Sequence, residues 1–116
     1  MNQRKFGFIG EKIAQGYLKD VGYKIIDTNF YSKKGEIDII MREDNIIIFV
    51  EVKTRTNFKF GTPASAINKE KKLHIKKTAK IFLQINKLTN FNIRFDVVEV
   101  IFQNGKCKVN HIKNIM

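Results

Sequence analysis

Residues 35–55 read GEIDIIMREDNIIIFVEVKTR, and the fold turns on how this stretch is read. Glu36 to Arg42 and Ile46 to Thr54 form two strand-like runs joined by Glu43-Asp44-Asn45. The second run is rich in β-branched residues and apolar on both faces near its centre. That pattern belongs to a strand inside a sheet, not at its edge. With Asp44 and Asn45 as the central turn residues, antiparallel pairing sets Glu43 against Ile46, Arg42 against Ile47 and Ile40 against Phe49. Continued, it sets Asp38 against Glu51 and Glu36 against Lys53. Strand side chains alternate between faces, so Asp38, Glu51 and Lys53 meet on one face. Opposed Cβ atoms lie about 4.5–5.5 Å apart, and a slip of one residue would destroy the arrangement.

Working outward, Phe6 to Val21 carries Ile9, Ile13, Ala14, Tyr17, Leu18 and Val21 at helical spacing, with Gly22 as a stop. Tyr23 to Tyr31 reads as a strand, followed by a turn at Ser32-Lys33-Lys34-Gly35. Beyond the hairpin, Arg55 to Gly61 is a polar and aromatic loop. Thr62-Pro63 has the form of an N-cap followed by a first-turn proline. A helical region then runs to about Asn86, with a break near Asn68. Ile75, Ala79, Phe82 and Ile85 make its apolar face, which Leu83 does not fit. Ile93 to Phe102 is another strand, and Asn104-Gly105 turns it back into Lys106 to Ile112. The order αβββαββ predicts a single α/β domain over residues 1–116, a mixed sheet flanked by helices.

The chain has 116 residues and a formal net charge of +11. Such an excess of lysine and arginine favours polyanionic partners such as nucleic acid, or reflects a lysine-rich proteome. Cys107 is the only cysteine, so no internal disulfide can form. With only His74 and His111 beside it, a Cys/His zinc site is not supported. The N-terminus has no apolar signal-like region. The longest apolar run, Ile46 to Val50, is too short to span a bilayer. These features predict a cytoplasmic location without membrane attachment.

Two carboxylates opposed on adjacent strands repel each other. Glu51 also directly follows an apolar run, where a charge needs a reason. A divalent cation between Asp38 and Glu51 removes the repulsion, and carboxylate oxygens suit Mg²⁺. Lys53 beside it can orient or deprotonate a water, or stabilise charge on phosphate, which together allow phosphodiester hydrolysis. The plainer reading leaves Asp38 and Glu51 as solvated strand ends, with Lys53 and Arg42 as charge partners. Glu11 flanks the apolar stripe of the first helix. It is a candidate third carboxylate, or a solvated first-turn residue favoured by the helix dipole. Lys69, Lys72, Lys76 and Lys80 share one side of the long helix, as an anion-binding row or a solvated face. Arg55 and Lys59, with Phe58 and Phe60, fit a loop that touches phosphates and stacks on a base, or phenylalanines packed in the core.

The residues Gly10-Glu11, Ala14, Tyr17-Leu18, Gly22-Tyr23, Asn29 and Gly35-Glu36-Ile37-Asp38 form a recognisable series. It continues through Phe49-Val50-Glu51-Val52-Lys53-Thr54-Arg55, Phe60-Gly61, Ala66-Ile67, Lys69, Lys72-Leu73, Ala79 and Phe95-Asp96-Val97. From about Gly10 to Glu99 the chain resembles the YraN family, bacterial proteins regarded as predicted endonucleases. The resemblance implies a restriction-endonuclease-like fold, similar to Holliday-junction resolvases and PD-(D/E)XK nucleases. It implies metal binding by Asp38 and Glu51, with help from Glu11 and the Val52 carbonyl, and a catalytic role for Lys53. The expected activity is Mg²⁺- or Mn²⁺-dependent hydrolysis of phosphodiester bonds in DNA, branched DNA included, by a monomer or a homodimer. The alternatives are a non-catalytic nucleic-acid-binding module and a subunit of a DNA-processing complex.

Overall fold

A strand that is apolar on both faces has to be covered on both. In the computed structural model, which describes residues 3–56 and 68–115, β3 (Ile46–Arg55) meets that demand at the centre of a five-stranded sheet. Helix α1 (Gln3–Asp20) leads into β1 (Lys24–Ser32) and β2 (Gly35–Glu43). Helix α2 (Lys69–Ile85) lies between β3 and the last two strands, β4 (Asn92–Gln103) and β5 (Lys106–Ile112). The strands lie in sequence order. Only β3 and β4 are parallel, and the other neighbours are antiparallel. This is the mixed α/β sheet, in the order αβββαββ, that the sequence predicts.

The two faces of β3 supply two cores. Ile48, Val50 and Val52 pack with Ala14 and Leu18 of α1. Ile47 and Phe49 pack with Ile75, Ala79 and Phe82 of α2. Local signals place the ends of the elements. Gly22 takes φ +109 after α1, where its amide and that of Tyr23 bond to the carbonyls of Lys19 and Leu18. Asn104 and Gly105 both have positive φ, as a tight hairpin of this kind requires. The expected break near Asn68 is the N-cap of α2, with the Asn68 side chain accepting the Lys71 amide. The Thr62-Pro63 cap and the loop residues Phe58, Lys59 and Phe60 lie outside the described residues, and nothing in α1 or α2 is long and apolar enough to cross a membrane.

Two apolar faces differ from expectation. In α1 the buried line is Gly10, Ala14 and Leu18, with Ile13 beside it, while Ile9, Tyr17 and Val21 turn outward. The helix meets β3 closest at Gly10, where an added Cβ would overlap the Thr54 hydroxyl. The stripe therefore runs through the glycine rather than through the larger residues. In α2, Ile85 is 65% exposed and Leu83 packs on the core. The C-terminus explains this. Lys87 takes φ +54, the Leu88 amide bonds to the Leu83 carbonyl, and both leucines join the same cluster. That is the αL-terminated helix end with its accompanying apolar contact.

Glycine replacements in α1 should separate packing from propensity. Gly10→Ala should destabilise the protein by about 1–3 kcal/mol through overpacking against Thr54. Gly16 has nothing within 4 Å of its would-be Cβ, so Gly16→Ala should stabilise by roughly 0.5–1 kcal/mol. Urea unfolding of the two variants measures both, and equal signs would contradict the close approach at Gly10.

Candidate active site

The β2–β3 hairpin pairs as the turn requires, from Glu43 opposite Ile46 through Ile40 opposite Phe49 to Ile39 opposite Val50. The ladder stops there. Ile37 packs on the α2 side and Ile39 on the α1 side, so the chain rotates at Asp38. On the neighbouring strand, Asn29, between the paired residues Thr28 and Phe30, takes φ +51. Asp38 is therefore not a ladder partner of Glu51. Its Oδ2 instead accepts the Val52 amide at 2.8 Å, across the gap where β2 leaves β3. The expected pairing of Glu36 with Lys53 is also replaced. Glu36 lies opposite Tyr31 on β1 and accepts a hydrogen bond from Asn29.

Asp38, Glu51 and Val52 nonetheless line one cleft of about 410 Å³, together with Glu11, Phe6 and Gly7 from α1. Glu11 is in the third turn of α1, not the first, so the helix dipole does not account for it. The Asn29 side-chain amide donates to both Glu11 and Glu36, at 3.1 and 3.2 Å. One left-handed residue in β1 thus holds two of the acidic groups.

Glu51 is 8% exposed and faces the α2 side. Its Oε1 receives Lys71 at 2.6 Å and Lys53 at 3.5 Å. Burial lowers the Lys53 ammonium below the ordinary lysine value, and Lys71 beside it lowers it further, more than Glu51 raises it. Burial also pushes Lys71 down, but its hydrogen bond and charge attraction to Glu51 outweigh that and leave it raised. Burial raises Asp38 most, followed by the Glu51 charge. Glu11 adds repulsion, and the single amide donor of Val52 does not compensate. The carboxyl is pushed up to about 8.

In the sequence Lys71, like Lys77, only adds charge near the lysine row, but its position sets it apart. It continues the buried line of α2 (Ile75, Thr78, Ala79, Phe82) one turn toward the N-terminus. A lysine on a buried stripe needs an anion. Lys69, Lys76 and Lys80 point to solvent and Lys72 is half-buried, all away from Glu51. Arg55, expected to contact phosphate, has a side chain only 9% exposed and pairs with buried Glu99 at 3.0 Å. It shares the α2 side with Glu51 and Lys53, and Asn110 also donates to Glu99.

Among the described residues, no three Asp, Glu, His or Cys side chains gather closely enough to hold an ion by themselves. The donor set still fits a small divalent cation that keeps water or substrate oxygens in its shell. The cleft offers carboxylates from Asp38, Glu51 and Glu11, and the raised Asp38 reports negative charge that a cation would offset.

Asp38 also makes stability depend on pH. Between its ordinary value of 3.8 and about 8 the folded protein holds a proton that the unfolded chain has lost. This contribution is full at low pH and is lost as pH rises through that window. In chelator, Asp38→Asn should flatten the fall in melting temperature between about pH 5 and pH 8, and melt above the parent at the alkaline end. Parallel melting profiles for the two proteins would place the titrating group elsewhere.

The sequence profile of the family described as Uncharacterised protein family UPF0102 matches residues 10–100. Three similar proteins each carry the name UPF0102 protein. That of Caldicellulosiruptor saccharolyticus is 48% identical over 116 residues, 98% of each chain. That of Alkaliphilus oremlandii is 44% identical over 113 residues, 96% of this chain and 97% of the relative. That of Syntrophomonas wolfei is 41% identical over 111 residues, 96% of each. The profile spans Glu11, Asp38, Glu51, Lys53 and Lys71, and leaves out Gln3, Phe6 and Gly7 of the cleft wall on α1. By these matches the chain belongs to the UPF0102 family.

Proposed function

We propose that this protein is a metal-dependent endonuclease that hydrolyses phosphodiester bonds in DNA. The observation that carries the reading is the cleft at the end of β3, where Asp38, Glu51 and Glu11 share one opening and Lys53 sits beside Glu51. The YraN resemblance and its PD-(D/E)XK pattern support the same reading.

Asp38 and Glu51 would hold Mg²⁺ or Mn²⁺, with the Val52 carbonyl and Glu11 as further donors. Bound there, the ion would supply charge to offset the carboxylates and the phosphate. Lys53, 3.5 Å from Glu51, would hold the attacking water or take its proton. Its lowered basicity suits that role, because a lysine that gives up its proton more readily can act as a base nearer neutral pH. Water adds to phosphorus, the bond to the leaving sugar oxygen breaks, and that oxygen takes a proton from solvent. Asn29 holds Glu11 in place from β1. The exposed row Lys69, Lys76 and Lys80, with Lys72, would hold the phosphate backbone.

The test is cleavage of linear, flapped and four-way DNA by pure protein in Mg²⁺ or Mn²⁺. Asp38→Asn should abolish cleavage and spare DNA binding, because it removes a ligand charge without removing a lysine. Lys53→Ala should also lose cleavage but keep Mn²⁺ binding by calorimetry, since an ammonium has no lone pair for the ion. Full activity in folded Asp38→Asn would move the chemistry away from this cleft and favour a non-catalytic nucleic-acid module.

DNA affinity should fall steeply with salt, with a slope of log affinity against log salt of about −0.9 for each phosphate neutralised on duplex DNA. Replacing Lys69, Lys72, Lys76 and Lys80 together with glutamine should flatten that slope. An unchanged slope would locate the binding surface on another face.

A further inference from the structure

The lysine on the buried side of Glu51 raises a question of its own. Lys71 and Lys53 both approach the same oxygen, Oε1 of Glu51, at 2.6 and 3.5 Å. One carboxylate charge faces two ammonium charges, while Asp38, across the same opening, has one amide donor and no ion pair among the described residues. Two cations thus crowd Glu51, while Asp38 has none paired with it among the described residues. Lys71 also comes from the first turn of α2, next to the capping residue Asn68. Its stem leaves a helix N-terminus, itself a favourable place for an anion. Its side chain is 38% exposed, so the ammonium can leave Glu51 without disturbing the core.

We infer that Lys71 is a charge gate for the site: its ammonium holds Glu51 until a divalent cation takes that oxygen, and it then pairs with a phosphate of the incoming nucleic acid. This rests on the nuclease reading above and adds a residue to it. The physical basis is competition. Asp38 and Glu51 would hold a divalent ion, whose charge would disfavour an ammonium on the same Glu51 oxygen. A displaced ammonium beside Glu51 would next find stabilisation on an anion, and the substrate brings one. Lys71 is in this sense a positioning residue: it keeps Glu51 aligned and neutralised while the site is empty, and helps to seat the backbone when the site is loaded. Lys53, which stays on the other side of the same oxygen, keeps its role at the water.

The gate makes a claim about metal affinity that a purely structural salt bridge does not. Removing a competitor tightens binding, whereas removing a structural support loosens it. Calorimetric titration of the whole protein with Mn²⁺, without DNA, should show Lys71→Met binding about 1.5-fold to fivefold more tightly than the parent, the range expected for loss of one partly exposed ion pair. Lys77→Met removes an equal charge from an exposed position of the same helix and should leave Mn²⁺ affinity near the parental value. With Ca²⁺ present and labelled duplex DNA, anisotropy should show that Ca²⁺ strengthens DNA binding less in Lys71→Met than in the parent. Unchanged or weaker Mn²⁺ binding by Lys71→Met, with the parent binding Mn²⁺ and cutting DNA, overturns the gate and leaves the nuclease reading standing. An equal gain in Lys77→Met also overturns it, because a general field then explains the effect. Absence of Mn²⁺ binding in both the parent and Lys71→Met removes the gate and the nuclease reading together.

Discussion

The parallel pairing of β3 with β4 governs the rest of the molecule. It runs without a break from Ile46 opposite Asn92 to Arg55 opposite Ile101. Parallel neighbours cannot be joined by a hairpin, so the chain must cross over one face of the sheet. The helix in that crossover is α2, and its apolar line settles on Ile47 and Phe49. With α1 on the opposite face, the middle of β3 is closed to water on both sides. The first charged side chain past the apolar run is Glu51, which is still buried. Its position follows from the lengths of strand and helix, and Lys71 arrives over it because α2 begins there.

Two buried carboxylates show what distinguishes a supporting group from a reactive one. Asp96 is fully buried, but Arg94 donates to it twice at 2.9 Å, His111 lies at 2.7 Å and the Asn114 amide at 3.0 Å. Burial alone would raise it, yet these partners outweigh burial and hold it below the ordinary value. It ties β4 to β5 and the segment after it. Asp38 has one amide donor and two carboxylate neighbours, and is pushed up instead. A carboxyl pushed up in this way keeps its proton to higher pH, and groups with shifts of this kind concentrate where chemistry is done. The contrast explains why the cleft at Asp38 is read as reactive while the tighter Asp96 cluster is read as a clamp.

Much of the fold was readable because its signals are local. The two-residue turn at Asp44-Asn45 set the hairpin register, and the apolar character of both faces of β3 placed it inside the sheet. The register could not be carried past Ile39, because the rotation at Asp38 depends on the left-handed Asn29 of another strand. Arg55 looked like a free cation because Glu99, its partner, is 44 residues away in the chain and reaches it only through the parallel ladder. Lys71 was hidden among five neighbouring lysines, and only the phase of the helix against the sheet sets it apart. Asp38, Glu51, Val52 and Glu11 do line one cleft, but how they face one another depended on tertiary contacts.

The placement of Glu11 shows how far a small packing feature reaches. α1 carries no side chain at Gly10, so its backbone can settle against Thr54 of β3. Glu11 is the next residue, and that close approach sets how near its carboxylate comes to Asp38. A larger residue at position 10 would lift the helix and withdraw Glu11 from the opening, even with every polar group unchanged. Asn29 acts on the same carboxylate from β1, holding it laterally while the glycine contact sets its height. Two separate elements thus constrain one acidic side chain that takes no part in the sheet. The repulsion it brings to Asp38 is sustained because the packing of α1 and the geometry of β1 both oppose its leaving.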